Sequence, residues 1–262
     1  MFSKLLKNLR DALAYPATKD LALDDPELTA LRKVILKKNT FLHRIYLDWY
    51  ERICAGLHSV EGQVLEIGAG AGFLQEVIDG LITSDVFFVE GLSAVLQAEA
   101  LPVKTNSLGA LVSCNVLHHI PDVEKFFHEA ARCVRKNGCL LMIEPWVTPW
   151  SKIVFQHLHH EAFEPQALDW RLPVGRPLSN ANGALPWIIF TRDRARFERE
   201  HPEWKIRVIE PIMPILYLLS GGFSSRIRFP GWSYRPWKLL EHAISPWVGK
   251  SAMFAYIQLL RV

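Results

Sequence analysis

Three groups of side chains in this sequence have the types and spacing to do chemistry. The first is Glu66 followed by Gly68, Ala69, Gly70 and Gly72, with glycine at alternate positions. Glycine there permits backbone conformations closed to other residues and keeps side chains away from a ligand lying against the main chain. The second is the pair His118-His119. Imidazole titrates near working pH, so either ring could act as a general base, or one could be buried and simply orient its loop. The third is His157, His160 and Glu161, which would share a face on a helix. Such a set can bind zinc or iron, contact an acceptor, or serve packing alone. No matching ligand set with motif spacing stands elsewhere in the sequence, so no metal centre is expected.

The glycines need a strand and a turn to position them. Val64 to Ile67 is an apolar run broken by one acid, and Phe73 to Ile78 is apolar-periodic, which reads as strand, tight turn and helix. A helix starting at the last glycine would aim unpaired N–H groups into the same space. A dinucleotide fingerprint requires glycine at the first, third and sixth positions, but the sixth from Gly68 is Phe73. The observed pattern, E-x-G-x-G-x-G, instead resembles motif I of the class I S-adenosylmethionine-dependent methyltransferases.

That resemblance extends from Val64 to Glu144. Gln97 to Leu108 is similar to the family's segment after strand three, and Asn115 to Asp122 to its "N-V-L-H-H-I-P-D" segment after strand four. The family places an acid at the end of strand two to hold the cofactor's ribose. Asp85 and Glu90 both qualify, and Asp85 is preferred because Glu90 leaves almost no crossover to a strand at Ala94 to Leu96. Where the family has an acid facing the adenine amino group this chain has Gln97, with Ala98 offering its backbone. The resemblance therefore implies S-adenosylmethionine as cofactor, held by Glu66, Gly68, Ala69, Gly70, Gly72, Asp85, Gln97, Ala98 and Asn115. His119, with His118, is the candidate base for an O–H acceptor. Glu144, Trp146, His157 and His160 are the candidate acceptor contacts.

Around this site the sequence predicts a doubly wound, Rossmann-like α/β fold with a seven-stranded sheet. Strand four is read at Ala110 to Asn115, a helix at Val123 to Arg135 with its cap at Lys136 to Gly138, and strand five at Cys139 to Glu144. Strand six is expected at Trp204 to Ile209. The last strand, Phe254 to Leu260, is expected antiparallel between strands five and six, as in the family. Residues 1–58 read as an N-terminal helical cap whose Tyr46, Trp49 and Tyr50 could cover the pocket. Residues 59–145 and 204–262 read as the core, and residues 146–203 as a lid shaping the acceptor pocket.

Composition sets the wider frame. A net charge of +3 on 262 residues argues against nucleic acid as a partner. Four cysteines without metal or disulfide spacing fit a reducing cytoplasm. Residues 1–15 form an amphipathic pattern with Phe2, Leu5, Leu6, Leu9 and Leu13 on one face. It suits either packing on its own domain or weak attachment to a membrane surface. The reading is methyl transfer to a small, hydrophobic or carrier-bound acceptor at oxygen or carbon. The rival is a non-catalytic S-adenosylmethionine-binding protein or degenerate partner subunit, supported by the missing adenine acid and the shortened second crossover.

Overall fold

The structure, a computed structural model, describes residues 24–159, 161–175, 178–226 and 228–262. The amphipathic pattern of residues 1–15 lies outside them. Seven strands make one sheet in the order β3-β2-β1-β4-β5-β7-β6. They are β1 (Gln63–Glu66), β2 (Ile82–Asp85), β3 (Ala94–Val95), β4 (Leu108–Cys114), β5 (Val134–Pro145), β6 (Trp204–Ile212) and β7 (Phe254–Arg261). β1 to β5 pair in parallel, and β7 runs antiparallel between β5 and β6 as expected, with Leu141 opposite Gln258 and Ile209 opposite Ile257. From β1 the chain winds outward to β3, then returns to β4 on the other side. The reversal between β1 and β4 opens a crevice at their carboxyl ends, where open α/β sheets bind ligands. β4 and the stretch of β5 from Cys139 onward are buried almost throughout, as expected for parallel strands covered on both faces.

Helix α1 (Pro26–Lys38) starts where Asp25 accepts a hydrogen bond from Glu27 N, with proline at its first position. Helix α2 (Thr40–Leu57) is capped by Asn39, which accepts from Leu42 N and donates from Nδ2 to Ser220 O at 2.9 Å. The aromatic face of α2 buries Tyr46, Trp49 and Tyr50 in the core. Helix α3 (Val123–Cys133) buries Phe126, Phe127, Ala130 and Ala131. It ends two residues earlier than the sequence suggests. Val134 is already extended and pairs with Leu108, Asn137 takes the left-handed turn (φ +64°), and a side chain on Gly138 would run into Gly109 O.

The segment after β5 is not a loose flap. It contains α4 (Pro149–Leu158), a helical turn at Leu185–Trp187 that widens into a π-turn at Ile188–Arg192, and α5 (Arg194–Glu200). Trp170, Ala184, Leu185, Ile188, Ile189 and Phe190 join the main core. Backbone bonds fasten the insertion to the end of β4: Asn182 N donates to His118 O at 3.0 Å and Leu172 N to Pro121 O at 2.9 Å. Beyond β6 lie α6 (Leu216–Ser220), α7 (Tyr234–Ala243) and α8 (Val248–Ser251). Among the described residues no helix is long and apolar enough to cross a membrane.

Candidate active site

The glycine loop leaves β1 after Glu66 and needs each glycine for a different reason. A Cβ on Gly68 would run into the Val116 side chain, and one on Gly72 would stand 2.7 Å from Tyr50 Oη and 2.9 Å from Ala69 O. Gly70 has space beside it, but its φ of +48° is disfavoured for other residues, and it borders the cavity. The loop is held by Ala69 N donating to Ser84 O, Gly72 N to Ala69 O, and Phe73 N to Tyr50 Oη at 3.1 Å. The helix expected from Phe73 onward is absent: only one 3-10 turn, Leu74–Glu76, forms before β2. The link between Gly72 and β2 is too short for a full crossover helix. The loop therefore has no helix dipole behind it and must rely on its own amides and nearby carboxylates.

Two carboxylates flank that loop. Glu66 is 2 % exposed, and among the described residues its Oε2 has no hydrogen-bond partner. Burial, with the Asp85 charge second, pushes its carboxyl up to about 8. Asp85, at the end of β2, accepts from Gly70 N at 2.9 Å and from Phe87 N at 3.1 Å, and burial raises its pKa against those bonds. The Val86 N–H also helps to stabilise this carboxylate, which has about four acceptor positions in all and so keeps room for a further donor. Glu90 is exposed and off the cavity wall. Gln97, Ala98 and Glu99 line the cavity beyond β3, and Asn115 lines it in a left-handed conformation (φ +58°) at the end of β4. Glu99 is an acid on this wall that the sequence reading passed over. A buried acceptor without a donor, next to a loop whose glycines keep the wall bare, fits a ligand that brings a cation to Glu66 and hydroxyls to Asp85.

Beyond Asn115 the chain turns through Leu117–His119, and Glu144 at the end of β5 holds that turn from beneath. Its Oε1 accepts from Val116 N (2.9 Å) and Leu117 N (2.8 Å), while its Oε2 accepts from His118 Nδ1 at 2.7 Å. His118 Nε2 stands 3.5 Å from Glu161 Oε2, and His119 Nε2 stands 3.8 Å from Glu161 Oε1. Burial alone would lower the His118 pKa, but hydrogen bonds to Glu144 and Glu161 outweigh it and raise it to about 9. His119 lacks such a bond, and burial and then the neighbouring His118 lower it to about 3. Its Nδ1 is buried with no partner among the described residues.

Of the residues expected at the acceptor, none described lines the cavity. Glu144 is fully buried because it turns back under the His118 loop, and Trp146 is a core residue whose backbone N bonds Met253 O. His157 lies two residues from the cavity-lining Phe155 on α4, about 200° around the helix and so on another face. His160 lies outside the described residues. The wall is built instead from Arg32 of α1, Tyr46 and Tyr50 of α2, Phe155 and Phe163 of the insertion, and Tyr217 and Phe223 near α6. Trp49 is buried in the core and does not reach it. Aromatics at helical spacing in α2 were the one sequence signal for this wall. The others come from segments far apart in sequence.

Comparison with known proteins bears on the fold that carries this site. Residues 65–142 match the family model of a methyltransferase domain. No curated protein matches the chain in sequence. Among solved structures, the chain is similar to an S-adenosylmethionine-dependent methyltransferase from Thermotoga maritima, described as a possible histamine N-methyltransferase. The identity is 17 %, the TM-score 0.54, and 89 % of this chain and 99 % of that one are covered. It is also similar to geranyl diphosphate C-methyltransferase from Streptomyces coelicolor A3(2), solved with Mg2+, geranyl diphosphate and S-adenosyl-L-homocysteine. There the identity is 14 %, the TM-score 0.50, and 100 % and 98 % of the two chains are covered. At these identities the likeness is one of fold, and the fold is that of the class I S-adenosylmethionine-dependent methyltransferases.

Proposed function

We propose that this protein transfers a methyl group from S-adenosylmethionine to a small, largely apolar acceptor. The observation that carries the reading is a bare glycine loop flanked by Asp85 and by Glu66, whose buried Oε2 has no partner among the described residues, with all of these residues lining one cavity at the β1/β4 reversal. S-adenosylmethionine supplies a methyl group on a sulfonium, open to in-line displacement by an acceptor. The chain's own part is to position. Glu66 takes the cationic end of the cofactor, and Asp85 accepts from its ribose hydroxyls. Gly68, Ala69, Gly70 and Gly72 let the main chain approach, and Asn115 closes the near side. Gln97 and Ala98 flank the adenine, with Glu99 next to them. Holding donor and acceptor at near-attack distance can supply several kcal/mol of the barrier without a base.

The roof over this cavity is aromatic. Phe155, Phe163, Tyr217 and Phe223 support an acceptor with apolar bulk, at oxygen or carbon. His119 was the expected base, but an imidazole lowered to about 3 is a poor proton acceptor at neutral pH, which favours positioning over base catalysis. Trp232, Leu239 and Trp247 are exposed outside the cavity near α7, and they support weak contact with a membrane surface where such an acceptor would reside. The deciding experiment is incubation of the protein with labelled S-adenosylmethionine and a cell extract, followed by mass spectrometry. A labelled product absent from the Asp85→Ala control supports the reading. Failure of S-adenosylhomocysteine to bind in calorimetry would end it.

A further inference from the structure

The fold brings a pair of adjacent histidines against a glutamate that is far from them in sequence. His118 and His119 end the β4 turn, while Glu161 comes from the insertion, and one nitrogen or oxygen from each lies within 4.8 Å of the others. The Glu161 oxygens stand 3.5 Å from His118 Nε2 and 3.8 Å from His119 Nε2. Ligand atoms about 2.1 Å from one cation at tetrahedral corners lie about 3.4 Å apart, so the two carboxylate–imidazole separations are close to that spacing, and the ligand atoms, all within 4.8 Å of one another, would draw in around an ion.

The surroundings are those of a ligand set with a cavity at its open side. Glu144, fully buried, accepts from His118 Nδ1, and this fixes the ring so that Nε2 points at Glu161. A carboxylate behind a histidine in this way orients the imidazole and raises its donor strength toward a metal. His118, His119 and Glu161 all border the same cavity as the glycine loop. The insertion cannot drift away from the histidines, because Asn182 N is bonded to His118 O, and Gly183 N to Ala162 O next to Glu161.

We propose that His118, His119 and Glu161 bind a divalent transition-metal cation, with Glu144 as the carboxylate that orients His118 and with one coordination position open to the cavity. Two imidazoles and one carboxylate suit zinc, iron(II) or manganese rather than calcium, which takes oxygen ligands. A site with three protein ligands and an open position is of the kind that receives water or substrate. On the methyl-transfer reading above, that position would receive an acceptor oxygen.

A second group, His128, His201 and Glu203, has similar spacing, but it is not on the cavity wall and its His128 is exposed. It serves as the internal control. The test is calorimetric titration of chelator-stripped full-length protein with Co2+ and then Zn2+ alone, with the Co2+ visible spectrum as a second readout. Expected are one equivalent bound and a ligand-field spectrum of low-coordinate cobalt. Glu161→Gln and His119→Ala should weaken binding at least about 100-fold, Glu144→Gln about 10- to 100-fold, and His128→Ala should leave it unchanged. Circular dichroism reports folding. Should His119→Ala not fold, Glu161→Gln, whose side chain lies partly exposed on the insertion, decides alone. No saturable binding by the wild type, or binding lost in His128→Ala and kept in Glu161→Gln, overturns the proposal. Titration with S-adenosylhomocysteine runs in parallel. Metal binding without S-adenosylhomocysteine binding removes the methyltransferase reading and leaves this site standing, and the converse removes only this site.

Discussion

Binding of S-adenosylmethionine should release a proton from Glu66, and its affinity should rise with pH until the group is ionised without help. Burial and the adjacent Asp85 charge hold the free protein's Glu66 carboxyl at about 8. At pH 7 about one molecule in ten then carries the anion. Presenting that anion to the cofactor's ammonium costs about 1.4 kcal/mol. Between pH 6.0 and 7.5, below the titration of the cofactor's own amine, the anionic fraction grows about 25-fold, and the association constant should grow with it. Calorimetry in two buffers of different ionisation enthalpy should register release of nearly one proton per site at pH 6.5. Glu66→Gln should show neither the slope nor the release. The free protein gives the sign independently. Its Glu66 pKa is raised above the ordinary 4.5, so the folded state holds that proton more tightly than the unfolded state. Stability without cofactor should fall as pH rises from 4.5 to 8, by at most about 4 to 5 kcal/mol, and Glu66→Gln should flatten that decline. A wild-type affinity independent of pH, or the same slope in Glu66→Gln, would refute the assignment of Glu66 to the cofactor's cation.

Asp85→Ala should weaken S-adenosylhomocysteine binding by roughly 1.5 to 3 kcal/mol, the scale of hydrogen bonds to a charged group, whereas exposed Glu90→Ala should leave it within error in the same titration. Gly72→Ala should unfold at lower temperature, because its Cβ would stand 2.7 Å from Tyr50 Oη and 2.9 Å from Ala69 O. Gly70→Ala meets no such clash, so it should lose only about 1 kcal/mol of stability and instead lose ligand binding. Glu144→Gln replaces the acceptor of three donors, two of them backbone N–H groups. Urea denaturation should show a loss of roughly 1 to 3 kcal/mol, and full stability in that variant would mean the turn is held by something else. The intact chain should co-sediment with anionic vesicles at low salt, and removal of residues 1–15 or the double change Trp232→Ser and Trp247→Ser should reduce it. Equal sedimentation of all three would remove the membrane contact.

How far the sequence could be read follows from how local each feature is. The β1 loop, β4, β5 and the antiparallel β7 were legible because each is a continuous apolar run with its turn signal attached, and pairing then left few arrangements open. Asp85 could be placed ahead of Glu90 by counting crossover residues, and the structure does put it at the end of β2 beside Gly70 N. The missing helix after the glycine loop marks the limit of that method: Phe73 to Ile78 carries helical periodicity, but the distance back to β2 leaves room for one turn. Periodicity states a preference, and connection length decides whether it can be met.

The acceptor side was illegible for a different reason. Arg32, Phe163 and Tyr217 meet only because α1, the insertion and the segment after β6 converge over one crevice, and no spacing within any of these segments announces it. Glu144 shows the same limit in one residue. An acid at a strand's carboxyl end reads as a group offered to a ligand, but three donors within 3 Å turn it inward to hold the His118 turn. The sequence set metal binding aside because His157, His160 and Glu161 lacked a second ligand set with motif spacing. The fold supplies one from the end of β4, since His118 and His119 face Glu161 while His157 is carried about 200° away from Phe155 around α4. The pairing depends on the backbone bonds between Asn182 and His118 and between Leu172 and Pro121, which fix the insertion on the turn. The same fastening that closes the aromatic roof over the cavity therefore also fixes the carboxylate opposite the two imidazoles.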